Sequence, residues 1–331
     1  MKRLIVTGPR QARFDDVPDP ECPVDGLLVR ARVTAVSTGT EIRVYRAQPV
    51  DEQGRFLHER VPFVLPTENG YSMVGDVIAV GVDATKFAIG DRVFVPSPHK
   101  EIAAVSEELA VKLPAEIPDE QAAFLNILEV GHIAVRRGSP TPGENVALLG
   151  QGVVGLSALA YCKSFGFRTA VIDSSQERLE IARVIGADLA LSPLDDDCVA
   201  RVIELFDAAG ADLVIEATSN WSAIQTAMYV AAADARIVVA ARHTDKPDFN
   251  LVGHPYLGKK LTLLTSYGHE PPGQRWDRRR SIALTLDLLF RGRLNIAPLI
   301  THRIDHAELP EMYRRLDGGD RSVVGVVVHW N

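Results

Sequence analysis

The chain has 331 residues, 46% of them apolar, enough for two domains with a core each, and carries a formal net charge of −7. That acidic balance excludes nucleic acid and an anionic membrane surface as partners, since both select dense Lys and Arg patches. Three cysteines, Cys22, Cys162 and Cys198, stand far apart without a Cys-x-x-Cys pair, which excludes a disulfide framework and a cysteine-built zinc cluster.

The opening Met1-Lys2-Arg3-Leu4-Ile5-Val6-Thr7-Gly8 has too short an apolar stretch for a signal peptide, and a cytoplasmic location is expected. Residues 27–36, 71–82 and 91–95 are rich in β-branched side chains and bounded by Gly and Pro. They are predicted as strands of a small β-barrel or sandwich. The polar segment 48–66, which contains His58, is long enough for a substrate lid. From Gln121 onward apolar strands alternate with amphipathic helices: strands at 146–149, 169–172, 213–216, 236–240 and 261–265, helices at 176–185 and 221–230. Such alternation predicts a parallel sheet covered by helices. The apolar run from Val146 to Cys162 approaches membrane-spanning length, but Gly150, Gln151, Gly152 and Gly155 interrupt it, so it reads as strand, turn and buried helix. The basic cluster Arg275, Arg278, Arg279 and Arg280 reads as the solvated start of a last helix, 281–291. The strand 323–328 then returns to the first domain.

The strongest motif is Gly150-Gln151-Gly152-Val153-Val154-Gly155. It follows a strand, opens a helix, and precedes a second strand that ends in Asp173, the context a dinucleotide fingerprint requires. Gly150 serves the tight turn, Gly152 the approach of a pyrophosphate, and Gly155 close packing of helix on strand. The helix start, with the N–H groups of Val153 and Val154, offers donors and a positive dipole end to phosphate. Asp173 would accept from the adenosine ribose hydroxyls and repel the 2′-phosphate of NADP, so NAD is expected and NADP disfavoured. Arg178 either flanks the adenosine or sits on an exposed helix face, and Asp173 either binds ribose or caps the helix after it.

With Gly75-Asp76-Val77, Gly90-Asp91-Arg92-Val93, Glu216-Ala217-Thr218 and Pro298-Leu299-Ile300-Thr301-His302 in this order around the glycine motif, the chain resembles the medium-chain alcohol, sorbitol and threonine dehydrogenases over nearly its whole length. The resemblance implies an α/β protein. A GroES-like β-barrel catalytic domain (residues 1–127 with 273–331) would join a Rossmann doubly wound parallel sheet (128–272), with Thr218 near the cofactor. It also implies a homodimer formed through the edge strand 261–266. Zinc-using relatives carry a metal-binding Cys in a Cys-Gly-Thr-Asp type motif, the His of Gly-His-Glu and a later Cys or Glu. The corresponding stretches here read Thr38-Gly39-Thr40-Glu41, Gly70-Tyr71-Ser72 and Asn126-Ile127-Leu128. Hydroxyl, phenol and carboxamide are poor zinc ligands, so no zinc is expected. Glu41, Glu68, Glu129 and His58 leave a rearranged site open. Val36-Ser37-Thr38-Gly39-Thr40-Glu41 and Gly70-Tyr71 also resemble the bacteriochlorophyllide hydroxyethyl dehydrogenase branch.

Hydride addition to a carbonyl builds negative charge on oxygen, which needs a proton or strong hydrogen bonds. On the resemblance, Tyr71 and Thr40 polarise that oxygen and pass its proton, Asn126 orients substrate and Glu41 positions the loop. Alternatively Tyr71 fills the space of a lost zinc and Asn126 satisfies backbone groups. His132 is a possible cleft residue and His302 a structural one. The activity implied is NAD(H)-dependent interconversion of a secondary alcohol (polyol, sugar or similar hydroxy compound) and its ketone, on a small-molecule substrate. The alternatives are an NADPH-dependent quinone or enoyl reductase, which Asp173 opposes, and a non-catalytic dinucleotide-binding protein.

Overall fold

The computed structural model describes residues 1–48, 64–268 and 271–330. The segment 48–66 with His58 therefore lies almost entirely outside the described residues. Two compact units emerge: Met1–Asn126 with Ile300–Asn331, and Ile127–Leu299.

The first unit is built on the strand Gly26–Val36. Val29, Ala31 and Val33 are buried while Arg30 and Arg32 are exposed, the period-two pattern of a strand with one face on a core. It sits inside a seven-stranded sheet. Met73–Val80 pairs antiparallel along one side of it and Ile102–Ser106 pairs near its start. The late strand Gly325–His329 pairs antiparallel along its second half, so the tail does return to the first unit. A separate three-stranded sheet holds the hairpin Lys2–Gly8 and Gln11–Asp16 with Thr67–Glu68.

The second unit has six parallel strands: β1 (Asn145–Leu149), β2 (Arg168–Ile172), β3 (Leu189–Leu191), β4 (Ala211–Glu216), β5 (Ala231–Val239) and β6 (Thr262–Thr265), in the order β3-β2-β1-β4-β5-β6. This is the doubly wound dinucleotide order, whose switch point lies between β1 and β4. Residues 146–149 of β1 are all buried, as expected of a parallel strand covered on both faces. The helix Val153–Ser164 that follows is buried nearly all round. Among the described residues β6 is paired on one side only, with β5.

The boundary expected at residue 273 needs correction: residues 273–299 belong to the second unit. The helix Arg278–Phe290 buries Ile282, Leu288 and Leu289, and its Thr285 hydroxyl lies 2.6 Å from the Tyr161 hydroxyl in the helix after β1. Apolar burial and a shared buried hydrogen bond tie it there. No helix among the described residues is long and apolar enough to cross a membrane.

Candidate functional site

In the second unit the glycine motif has the geometry its sequence implies. Gly150 has φ +87°, and a Cβ there would meet Thr218 Cγ2 at 2.6 Å, so only glycine makes this turn without displacing the loop after β4. At Gly155 a Cβ would lie 1.8 Å from the Gly150 carbonyl oxygen, and the helix therefore packs against its own entry turn. At Gly152 a Cβ would meet nothing within 4 Å. Gly152 is the N-cap of Val153–Ser164 and has no side chain to cap it, which leaves the first-turn N–H groups of Val153, Val154 and Gly155 without intrahelical acceptors. Open space beside an uncapped helix start is the arrangement that takes a pyrophosphate.

Asp173, 9% exposed, follows β2 directly. One carboxylate oxygen accepts from the Gln151 N–H at 2.5 Å and the other from the Ser175 N–H at 2.8 Å. The helix Gln176–Ile185 is capped instead by Ser175, whose hydroxyl accepts from the Arg178 N–H, so Asp173 is not the cap. A carboxylate accepts about four hydrogen bonds, and acceptor capacity remains for ribose hydroxyls. Arg178 is half-buried, and its buried Nε has no hydrogen-bond partner among the described residues. After β4, the fully buried Glu216 accepts from the Thr218 N–H and hydroxyl and from the Ser219 N–H, and its other oxygen meets His243 Nε2 at 2.9 Å. The Thr218 hydroxyl is thus turned to Glu216. These residues fit a dinucleotide.

In the first unit the helix Thr38–Arg46 places Thr38, Thr40 and Glu41 in one turn after Ser37. Tyr71, half-buried, donates its hydroxyl to Ser37 Oγ at 2.5 Å. Burial pushes its phenol up to about 12 and the charge of Glu41 adds to the rise, while hydrogen bonds with Ser37 and Thr40 act against it. The Asn126 side-chain amide donates to the Tyr71 carbonyl at 2.6 Å. Ser72 donates to the Ala123 carbonyl at 2.5 Å, so the 71–72 backbone is held from both sides of one segment. Ser37, Thr40, Tyr71 and Asn126 therefore come together.

Glu41 faces away from solvent altogether, at 0% exposure. Its carboxylate accepts from the Ser37 N–H at 2.7 Å, from His99 Nε2 at 2.9 Å and from the Tyr313 hydroxyl at 2.5 Å. His99 Nδ1 meets Thr34 Oγ1 at 2.7 Å, and Trp330 Nε1 donates to that hydroxyl at 3.1 Å. Gly70 has φ +95°, and a Cβ there would lie 2.5 Å from His99 Cδ2, so the glycine before Tyr71 makes room for the histidine. Sequence reasoning missed His99, Tyr313 and Trp330. Their partners are up to 296 residues away in the chain, and the one local signal was the glycine.

His132 is in the second unit, buried, with neither ring nitrogen hydrogen-bonded among the described residues. Burial, then Arg136, hold it down to about 4, so it is neutral. His302 bonds Thr301 and Arg315. Among the described residues no three His, Cys, Asp or Glu side chains come together as a metal requires. Thr38, Tyr71 and Asn126 do not supply thiolate, imidazole or carboxylate, so this donor set does not fit a catalytic zinc.

Residues 153–279 match the family model described as zinc-binding dehydrogenase. The chain is 29% identical over 332 residues to D-guloside 3-dehydrogenase of Shigella flexneri, covering 95% of each. It is 27% identical over 350 residues to L-threonine 3-dehydrogenase of Aeromonas hydrophila, covering 96% of this chain and 95% of the relative. Over nearly its whole length the chain is thus similar to dehydrogenases of medium-chain dehydrogenase/reductase type, and the family match itself covers residues 153–279. Among solved structures of the same fold, an alcohol dehydrogenase from Escherichia coli CFT073 complexed with NADH superposes with a TM-score of 0.82 at 20% identity, over 100% of this chain and 99% of the other. The turn after β1 and the cluster around Tyr71 are the chain's two candidate functional regions.

Proposed function

We propose that this medium-chain dehydrogenase interconverts a secondary alcohol of polyol or sugar type and its ketone with NAD(H), without a catalytic zinc. The observation that carries the cofactor is the open, uncapped turn at Gly152 beside a buried Asp173. The carbohydrate relatives support the substrate class. NAD held at that turn would supply the hydride acceptor or donor.

The chain's own residues handle the proton. With its phenol raised to about 12, Tyr71 is protonated at neutral pH and is a donor. In the direction of reduction, bound nicotinamide would supply the hydride to the carbonyl carbon, and Tyr71 would give its proton to the oxygen. The transfer is downhill because an alkoxide is more basic than a phenolate. Ser37 and Thr40, hydrogen-bonded to Tyr71, would relay a proton from solvent back to the phenolate, each hydroxyl passing one on and taking one up. Asn126 fixes the Tyr71 backbone, and Glu41 fixes the helix start that carries Ser37 and Thr40.

The test is a turnover screen of the full chain with NAD and a panel of polyols, sugars and glycosides, following reduced nicotinamide absorbance. Tyr71→Phe keeps the ring, and turnover should fall by about a hundredfold while NAD affinity is unchanged. Purified protein should hold well under one zinc per chain and keep its activity in chelator. Stoichiometric zinc, or undiminished turnover in Tyr71→Phe, overturns the assignment.

A further inference from the structure

One buried histidine connects to both partners of the hydrogen bond between Tyr71 and Ser37. His99 is fully buried, and its backbone is anchored at both ends: the N–H donates to the Asn69 carbonyl at 2.9 Å and the carbonyl accepts from the Leu4 N–H at 2.8 Å. Gly70, next along the chain from Asn69, leaves room for the ring, since a Cβ there would lie 2.5 Å from Cδ2 and 2.7 Å from Nε2 of His99. The ring is thus a wall against which the backbone leading into Tyr71 rests. Its Nε2 meets one carboxylate oxygen of Glu41, whose other oxygen accepts from the Ser37 N–H. Tyr71 in turn donates to Ser37 Oγ. These contacts close a circuit from His99 through Glu41, Ser37, Tyr71 and Gly70 back to His99.

The ring orientation is determined at both nitrogens. A carboxylate oxygen only accepts, so Nε2 carries the proton, and in the neutral ring Nδ1 is then an acceptor. Thr34 Oγ1, 2.7 Å from Nδ1, has a hydroxyl proton to give it, while Trp330 Nε1, which can only donate, supplies the hydrogen bond that the Thr34 oxygen accepts. Donation therefore runs one way, from Trp330 to Thr34 to His99 to Glu41. A flipped ring would leave buried groups unpaired, which a site of this kind penalises. Trp330 reaches the line because the strand Gly325–His329 pairs along the strand that carries Thr34. The reacting proton does not pass along it: Ser37 joins Glu41 through its N–H and Tyr71 through its hydroxyl.

We propose that His99 is a positioning residue, which sets the hydrogen bond between Tyr71 and Ser37 by fixing the backbone before Tyr71 on one side and the helix start at Ser37 on the other. Its consequence for turnover rests on the reading of Tyr71 as proton donor; the hydrogen bond itself does not. The test compares His99→Phe, which keeps a ring against Gly70 and removes both nitrogens, with His99→Gln, whose amide N–H extends toward the place of Nε2. In the full chain isotope-labelled at tyrosine Cζ, the Tyr71 resonance, identified by its loss in Tyr71→Phe, should shift in His99→Phe and return in His99→Gln. Tyr161, hydrogen-bonded to Thr285 in the second unit, should stay in place. With NAD and an alcohol that the turnover screen finds, kcat should fall about tenfold or more in His99→Phe, KM and NAD affinity should change less than about twofold, and His99→Gln should recover most of the rate. In a Tyr71→Phe background the same substitution should cost less than about twofold, because residues that act as a unit are not additive, whereas a general loss of structure would lower the rate in both backgrounds alike. Thr34→Val, which removes the hydroxyl at Nδ1 and leaves His99 in place, should give the same pattern with a smaller loss, and it carries the test if His99→Phe does not fold. An unmoved Tyr71 resonance, or equal rate losses in both backgrounds, overturns the proposal. Full turnover in Tyr71→Phe instead sinks the donor reading, and the Tyr71 resonance then decides the role of His99 alone.

Discussion

Alanine at Gly155 and alanine at Gly152 should separate stability from dinucleotide binding within a single turn. At Gly155 the new methyl would lie 1.8 Å from the Gly150 carbonyl oxygen and 3.7 Å from Ala217 Cβ. Relaxed C···O contacts are about 3.4 Å, so a buried helix would have to retreat from a buried strand. Overpacking of this kind costs about 1–3 kcal/mol, and the better helix propensity of alanine returns at most about 1 kcal/mol. At the middle of that range the net loss is about 1 kcal/mol, which lowers the melting midpoint of a unit of this size by about 2–4 °C. At Gly152 the methyl meets nothing within 4 Å, so Gly152→Ala should melt within about 0.5 kcal/mol of the parent. Its methyl enters the space beside the uncapped helix start, and NAD affinity should fall about tenfold or more, about 1.4 kcal/mol. Thermal unfolding by circular dichroism and titration of NAD against intrinsic fluorescence read the two effects separately. Normal NAD binding by Gly152→Ala would refute the placement of the pyrophosphate, and an unchanged melt of Gly155→Ala would refute the packing argument.

Four further outcomes follow. NAD should bind at least about tenfold more tightly than NADP, about 1.4 kcal/mol, and Asp173→Ser should narrow or reverse that ratio; equal affinities in the parent protein would sink the reading of Asp173. Glu41→Ala strands three buried donors, from Ser37, His99 and Tyr313, at about 1–3 kcal/mol each, so denaturant unfolding should show a loss of about 3 kcal/mol or more with a smaller loss for Glu41→Gln, and a change under about 0.5 kcal/mol would contradict the network. Burial and Glu41 hold Tyr313 protonated well above an ordinary tyrosine, so the stability tied to it is present below pH of about 10 and is lost as pH rises beyond that value. Finally, the edge strand β6 should pair with its copy in a homodimer, and light scattering that finds a monomer at micromolar concentration would reject this.

Much of the second unit was legible because its signals are local. The helices Gln176–Ile185 and Trp221–Val230 coincide with the predicted ranges, and the glycine turn is written in consecutive residues. The helix Thr38–Arg46 was not legible. Its Ser37 N-cap is followed by glutamate at the fourth helical position, not the third, so the capping-box spacing is absent, and Gly39 with two threonines lowers helix propensity. The short strand Leu189–Leu191 is partly exposed and too brief to show a period. Residues 273–299 were misassigned because an amphipathic helix announces that it packs but not on what.

The buried carboxylates of the second unit explain why its binding turn can be rigid before a ligand arrives. Asp173 after β2 accepts from the N–H of Gln151, in the turn after β1, and from its own loop at Ser175. Glu216 at the end of β4 accepts from the N–H groups of Thr218 and Ser219, while a Cβ on Gly150 would collide with Thr218. The loops after β1 and β2 are therefore joined through the Asp173 carboxylate, the loop after β4 is braced by Glu216 and packs close to Gly150, and all lie at the carboxyl ends of strands around the switch point. Charged acceptors make stronger hydrogen bonds than neutral ones, and a site held this way loses little conformational freedom on binding. The same logic makes Asp173 a poor position for tolerant substitution. Serine there removes the negative charge that opposes a 2′-phosphate and also one anchor of the glycine turn, so part of any lost NAD affinity in that variant should appear as a lower melting midpoint.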